Sequence, residues 1–263
     1  MPTAARLLIP VLLVPALLIL AASHAPSPAA EMTYSLNVLG VPVAEATLAV
    51  DLTKTQYRIS LRYHTTGGAS LLSGDHLEDL SSGTFDHDGP VPVDATANIR
   101  ARGQDRTVHL LYRGATPVIA AISPPNDTER EDVPPKAREH TIDPLSATAA
   151  ILHQAAETGR CDVNRRTYDG RRLEQFVART TGEEAVSASI HSHFSGPALR
   201  CDYTSQVMAG FRTDNQRAED SRTRGGTLWL APLLPNYPRL PIRGEVDIRL
   251  LGRATMYLTA VRP

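Results

Sequence analysis

Two histidines in the second half of the chain have a spacing that could serve a metal site. His191 and His193 stand two residues apart in EEAVSASIHSHFSG, and on a strand their imidazoles would share one face about 7 Å apart. A stable site needs a third ligand, which His153 or Asp202 could supply. That arrangement would suit a metal-assisted hydrolase. Two solvent-facing histidines are the simpler interpretation, so neither a metal nor a cofactor is assigned.

A second candidate is the acidic segment DHLEDLSSGTFDHD at residues 75–88. Its ionisable side chains are Asp75, His76, Glu78, Asp79, Asp86, His87 and Asp88. Carboxylates could bind calcium or take part in acid–base chemistry, but the spacing is not that of an EF-hand loop. Because charge at a sheet edge discourages aggregation, the segment is interpreted as a charged edge strand.

Four arginines flank an Asp-Gly pair that predicts a two-residue hairpin turn. Arg165 and Arg166 precede Asp169-Gly170, and Arg171 and Arg172 follow it. Their guanidinium groups could bind the phosphate of a lipid headgroup or the carboxylate of a peptide. Exposed, solvated arginines are the alternative.

Known catalytic motifs are absent from the sequence. Neither GxSxG nor HExxH occurs, and the phosphate-binding patterns GxxxxGK[ST] and GxGxxG are missing. No catalytic residue is assigned, and a binding module is favoured over an enzyme.

The first 30 residues predict export. Arg6 precedes an apolar run that is broken by prolines, and small residues follow it, which is the order of a cleavable signal peptide. The cleavage point falls between Ser23 and Ala30, and an uncleaved membrane anchor is the alternative. The remainder, residues 31–263, is expected to form one periplasmic domain that is not integral to the membrane. It has 26 basic and 28 acidic residues, so no basic excess favours nucleic acid.

Cys161 and Cys201 are the two cysteines, and an oxidising compartment favours a disulfide between them. Two buried free thiols are the alternative.

Alternation of apolar and polar residues predicts a mainly β fold of about 12 antiparallel strands. In QYRISLRYHT, for example, Tyr57 and Ile59 fall on one face and Arg58 on the other. EVDIRLLGRATMYLTAV predicts a C-terminal hairpin around Gly252. Residues 123–136 and 211–226 are polar, and they are predicted to be surface loops.

One segment breaks this pattern and predicts a helix that the sheet wraps. In DPLSATAAILHQAAETG, Asp143 is the predicted N-cap, Pro144 the first helical residue, and Gly159 lies just past the end. The helix is apolar almost all round, as a buried helix would be. Imperfect closure of a sheet around it would leave a groove. The candidate lining residues are Leu145, Ala149, Leu152, Trp229 and Tyr237. For the stretch that holds Trp229 and Tyr237, packing in the core is the simpler interpretation.

The order of these sequence motifs resembles that of an exported bacterial family known as domain of unknown function 3108. The resemblance rests on YSLNVLGVPVAEATL, DPLSA, Cys161, YDGRR, CDYTSQVMAGF and LWLAP…PRLPIRGEV, and it covers nearly the whole mature chain. It implies a fold like that of the lipoprotein-localisation factors LolA and LolB, a half-open antiparallel barrel over a helix. It also implies an envelope location and a groove for an apolar or lipid-like ligand or an envelope partner. A scaffold that pairs through sheet edges is a further alternative.

Overall fold

The structure is a computed structural model that describes residues 29–72, 74–101, 103–126, 129–192, 194–214, 216–235, 237–248 and 252–263. The predicted signal peptide therefore lies almost entirely outside the described residues. Among the described residues, no helix is both long and apolar enough to span a bilayer.

Thirteen strands and four helices make up the described chain. In chain order they are β1 (Ala30–Val38), β2 (Val41–Leu52), β3 (Gln56–Thr65), α1 (Gly67–Leu72), β4 (His76–Asp86), β5 (Gly89–Ala101), β6 (Gln104–Arg113), β7 (Thr116–Ser123), α2 (Pro135–Arg138), α3 (Pro144–Thr158), β8 (Val163–Tyr168), β9 (Leu173–Val186), β10 (Gly196–Ala209), α4 (Arg217–Asp220), β11 (Arg224–Ala231), β12 (Leu240–Ile248) and β13 (Gly252–Arg262).

The strands form one antiparallel sheet in the order β7-β6-β5-β4-β3-β2-β1-β13-β12-β11-β10-β9-β8. The predicted C-terminal hairpin is confirmed as β12 and β13, and β13 also pairs with β1. Alternation is confirmed in β3, where Tyr57 and Ile59 are buried and Arg58 is exposed. The mainly β fold class is therefore confirmed, with thirteen strands rather than about twelve.

Helix α3 lies inside the curved sheet, against β3, β4, β5 and β8. Its predicted ends are confirmed: the Asp143 carboxylate accepts the Ser146 amide at 3.0 Å, and Gly159 adopts a φ of 69°. Ala149 and Leu152 are fully buried, so the apolar helix surface supplies much of the core. The predicted disulfide between Cys161 and Cys201 is also confirmed, with a Cα–Cα distance of 6.1 Å.

The connection between β7 and β8 nearly closes the sheet into a barrel. The His140 amide donates to Ala115 O at 2.8 Å beside β7. On the other side, Ile142 forms a parallel bridge with Thr167 of β8. Residues 139–142 therefore form a closing segment that joins the two outermost strands and leads directly into α3.

Two local predictions are wrong. The acidic segment is not a sheet edge, because β4 pairs with both β3 and β5. Alternation along β4 instead turns Asp79 and Ser81 toward the barrel interior. The turn between β8 and β9 has four residues, Asp169 to Arg172, rather than two. At Gly170 φ is 89°, and a Cβ there would lie 2.4 Å from Val108 Cγ1, so the turn packs closely against β6.

Candidate functional site

The inner face of β4, β5 and β6 borders a cavity of about 830 Å³. The start of α3 and the β8–β9 turn form its other sides. This volume lies within the range of small-molecule sites, roughly 300–1,000 Å³. The cavity is therefore the candidate functional site.

One wall of the cavity is apolar. Alternate residues of the three strands project inward, and Leu145 on α3 faces them. The main apolar side chains are Leu77, Ala97, Ile99, Val108, Leu110 and Leu145. In register they run from Ile99, which lies opposite Arg106, to Leu110, a separation of four residues or about 13 Å of strand. An apolar chain could lie along this wall.

The opposite wall is charged, and the β8–β9 turn supplies three of its residues, Asp169, Arg171 and Arg172. The Arg172 guanidinium donates to Asp169 Oδ2 from Nε at 2.9 Å and from Nη2 at 2.8 Å. Asp169 Oδ1 accepts the backbone N–H groups of Arg171 and Arg172. The charge of Asp169 raises the pKa of Arg172, and Arg172 and these N–H groups lower the pKa of Asp169 despite burial. The turn is thus held rigidly by its own side chains.

Arg171 differs from the other arginines of the cavity in its acceptors. It is only 8% exposed, and it donates to Asn126 Oδ1, Ser123 O and Pro124 O at 2.9–3.0 Å. Among the described residues all its hydrogen-bond acceptors are neutral oxygens. Its position is fixed, but its charge has no carboxylate in direct contact there.

The two predicted surface loops meet at the mouth of the cavity. Arg130 and Arg212 form an antiparallel bridge, and Arg130 Nη1 donates to Asp220 Oδ2 at 2.8 Å. Arg212 pairs with Asp214 in the same way, at 2.8 Å. The second loop contains α4 and ends where β11 begins at Arg224, two residues before its predicted limit. These loops therefore form part of the site.

Glu129 is also held by a direct ion pair. Arg106 on β6 donates to Glu129 Oε1 at 2.6 Å, and this bond lowers the pKa of Glu129. Each arginine that lines the cavity apart from Arg171 thus contacts a carboxylate.

Asp79 lies on the apolar wall and has an unpartnered oxygen. Its Oδ1 is buried and has no hydrogen-bond partner among the described residues. Burial, and then the charges of Asp143 and Asp169, raise the pKa of Asp79 to about 7. Near neutral pH this side chain is therefore substantially a neutral carboxylic acid, which can donate as well as accept a hydrogen bond.

A satisfied polar cluster lies at the inner end of the cavity. Asp143 Oδ2 accepts hydrogen bonds from the hydroxyls of Ser81 and Ser146, and the Tyr57 hydroxyl is 2.6 Å from Ser146 Oγ. Burial is the main cause that raises the pKa of Asp143. Near this cluster, but outside the described lining of the cavity, the buried hydroxyl of Tyr112 has no partner in the described chain. The cluster fixes the start of α3 against β3 and β4.

Of the predicted groove residues, Leu145 lines the cavity, whereas Ala149 and Leu152 are fully buried in the core. Trp229 is 5% exposed, and the guanidinium carbons of Arg200 and Arg243 are 5.7 and 4.9 Å from its ring centroid. Tyr237 packs against the core. The described lining of the cavity does not include these last four, and their role in a groove stays a prediction.

The predicted arginines divide into two pairs. Arg171 and Arg172 line the cavity, and they are not the solvated surface residues of the alternative interpretation. Arg165 instead borders a smaller hollow of about 290 Å³ beside His153. Arg166 Nη2 donates to Glu139 O at 2.7 Å and so helps to hold the closing segment.

The histidine pair is not placed on a strand. His191 lies in the connection between β9 and β10, where its ring stacks on Tyr257 at 5.0 Å, and His193 lies outside the described residues. The suggested third ligands lie elsewhere: His153 stacks on Phe85 at 3.9 Å, and Asp202 accepts from Arg200 and Thr227. The strand geometry expected for a metal site is therefore wrong for His191.

In the described part of the chain, the group with metal-ligand spacing is Asp86, His87 and Asp88 in the β4–β5 turn. All three are exposed, and the Asp88 amide donates to Asp86 Oδ1 at 2.8 Å. Exposed acidic turns of this kind are common without an ion.

The sequence analysis did not predict that Asp79, Arg106, Glu129 and Arg130 line the cavity. For Asp79 the signal is the alternation along β4, which puts Leu77, Asp79 and Ser81 on one face. The other three lie far apart in the sequence, and no local pattern marks them.

The fold and the cavity define a class: β-barrel-like proteins in which one antiparallel sheet nearly closes around a helix. A solved structure of this class, a beta-barrel-like protein of domain of unknown function DUF1849 from Brucella abortus, is similar with a TM-score of 0.52. The match has 11% sequence identity and covers 89% of this chain and 97% of that chain, so it shows the fold alone.

The particular family follows from the sequence. The model of the family described as protein of unknown function (DUF3108) matches residues 30–259, and the chain belongs to that family. No curated protein matches the chain. The likeness to LolA and LolB stays a prediction.

Proposed function

We propose that this chain is an exported binding protein that holds the apolar part of an amphipathic small molecule inside its barrel. The observation that carries the proposal is the cavity of about 830 Å³, with an apolar wall from β4, β5 and β6 and a charged wall from the β8–β9 turn. Such a combination suits a ligand with an apolar chain and a polar end. The signal-like first 30 residues and the disulfide support an oxidising compartment outside the cytoplasm.

Filling the cavity tests this function. Ala97 lies in the middle of the apolar wall, whereas its neighbour Asn98 is exposed on the other face of β5. We expect Ala97→Phe to weaken binding of the uncharged fluorescent probe N-phenyl-1-naphthylamine by at least about tenfold, a cost of about 1.4 kcal/mol. Asn98→Phe is the matched control and should bind the probe as the wild type does. Fluorescence titration of the three proteins measures the affinities.

Thermal melting must show that Ala97→Phe is folded. Equal probe affinity in a folded Ala97→Phe variant and the wild type would contradict the proposal, because the added ring would occupy the site. Ile99→Trp fills the same wall one inward position away and provides a second test if Ala97→Phe does not fold.

A further inference from the structure

Two polar groups of the cavity lack the partner that their burial calls for. Asp79 Oδ1 has no hydrogen-bond partner in the described residues, and the Arg171 guanidinium contacts only neutral oxygens there. A buried polar or charged group without a full partner is costly. A ligand that supplies the missing interactions would recover part of that cost.

The charges around the cavity indicate the sign of the ligand. The basic groups that line it are Arg106 of β6, Arg130 and Arg212 of the two loops, and Arg171 and Arg172 of the turn. Beside Asp79, the acidic groups are Glu129, Asp143, Asp169 and Asp214. Arg106, Arg130, Arg172 and Arg212 each contact a carboxylate directly, with Asp220 as the partner of Arg130. Among the described residues, Arg171 is therefore the lining arginine whose charge has no carboxylate in direct contact. A ligand with one negative charge would supply that contact, whereas a cation would not.

We infer that the ligand of this cavity is an amphiphile whose polar end is a carboxylate bound by Arg171. This inference rests on the proposed function and names its ligand class. A carboxylate carries one charge and matches the planar fork of a guanidinium. A phosphate monoester carries nearly two charges at neutral pH, which is more than the single charge of Arg171.

Ionisation of Asp79 would then oppose binding. The pKa of Asp79 is raised to about 7, so the acid is mainly neutral at pH 6 and mainly charged at pH 8. If the charged form binds the carboxylate poorly, affinity should fall about tenfold between these pH values. Asp79→Asn keeps a neutral side chain of the same shape, and it should remove this pH dependence.

The experiment compares three ligands with the same chain and different ends: decanoate, decanol and decyltrimethylammonium. Each displaces N-phenyl-1-naphthylamine from the full mature chain at pH 6 and pH 8, below its micelle concentration. Decanoate is ionised at both pH values, because simple carboxylic acids titrate at about 4 to 5. The variants are Asp79→Asn and Arg171→Met. Arg166→Met is the control, since Arg166 lies on the same hairpin but binds the closing segment.

We expect decanoate to bind most tightly at pH 6, and to lose about tenfold in affinity at pH 8 in the wild type but not in Asp79→Asn. Arg171→Met should lose the preference for decanoate over decanol, and Arg166→Met should keep it. Equal binding of decanoate and decanol at pH 6 would overturn the ligand class while leaving the proposed function intact. Tightest binding of decyltrimethylammonium would also overturn the ligand class and leave the proposed function intact.

Failure of all three compounds to displace the probe would instead count against the proposed function itself. If Arg171→Met does not fold, the pH dependence of decanoate affinity in Asp79→Asn still tests the inference, because that variant leaves the β8–β9 turn unchanged. A wild-type affinity for decanoate that is constant from pH 6 to pH 8 would overturn the role of Asp79.

Discussion

The two sides of the barrel interior differ in how their space is filled. Beneath β10, β11 and β12, the side chains of Leu199, Leu230, Leu240 and Ile242 are at most 2% exposed and pack against the disulfide region. Beneath β4, β5 and β6, by contrast, the same sheet borders a cavity where Asp79 has an unpartnered oxygen. The difference teaches that the first side provides stability through packing, whereas the second side keeps a cavity and polar groups, as the proposed function requires.

Reducing the disulfide should have the largest effect on the filled side. The bond closes a loop with a sequence separation of 40 between Cys161 and Cys201. Its loss should lower the free energy of unfolding by about 4 kcal/mol, because the unfolded chain regains the entropy of an open loop. Urea denaturation with and without reductant measures this change. The Cys161→Ala/Cys201→Ala double variant is the control, and reductant should leave its midpoint unchanged. A midpoint that the wild type keeps in reductant would contradict the prediction.

Truncation of leucines on the two sides should sharpen the comparison. Leu230→Ala removes a fully buried side chain, and we expect a loss of about 3 kcal/mol in the free energy of unfolding. Leu77→Ala on the cavity wall should cost only about 1 kcal/mol, since Leu77 is half-buried and already borders open space. Urea denaturation of both variants measures the costs. Equal losses would show that the two sides are packed alike, and would break the comparison.

The sequence predicts the strands, the helix ends and the disulfide better than the cavity. Period-two alternation and the helix caps at Asp143 and Gly159 are local signals, and both are confirmed. The disulfide follows from the presence of two cysteines and is confirmed as well. The cavity instead depends on pairing between distant strands. Whether β4 is an edge or a central strand decides whether Asp79 faces a closed interior, and single-sequence patterns do not encode that neighbourhood.

Trp229 shows that the sequence can predict burial without predicting the groups that provide it. The surrounding apolar stretch predicts that its ring lines a groove or packs in the core, and the ring is 5% exposed. The pairing of β11 with β10 and β12 places Arg200 and Arg243 directly opposite Trp229. The two guanidinium groups then cover the ring through cation–π contacts. Such covering depends on strand register, which sequence composition alone does not determine.

A substitution of Asp79 should have a smaller effect than loss of the disulfide or of Leu230, and this effect depends on pH. Burial raises the pKa of Asp79 from 3.8 to about 7, so the folded state holds a proton that the unfolded state releases between these values. The stabilising contribution of that proton is complete below about pH 4 and is lost as the pH rises through about 7. Asp79→Asn, which stays neutral, should therefore be more stable than the wild type at pH 8, by about 2 kcal/mol after allowance for partial exposure.

Urea denaturation at pH 5 and pH 8 measures this difference between Asp79→Asn and the wild type. The gain should shrink to less than about 1 kcal/mol at pH 5, where the wild-type acid is already protonated in the folded state. Glu78→Gln is the matched control, because Glu78 is the exposed neighbour on the other face of β4, and it should show no such trend. A gain that is no larger at pH 8 than at pH 5 would mean that Asp79 is solvated like a surface residue. In that case the two sides of the barrel would differ only in packing. The unpartnered oxygen of Asp79 would then no longer support the proposal that the cavity binds a ligand.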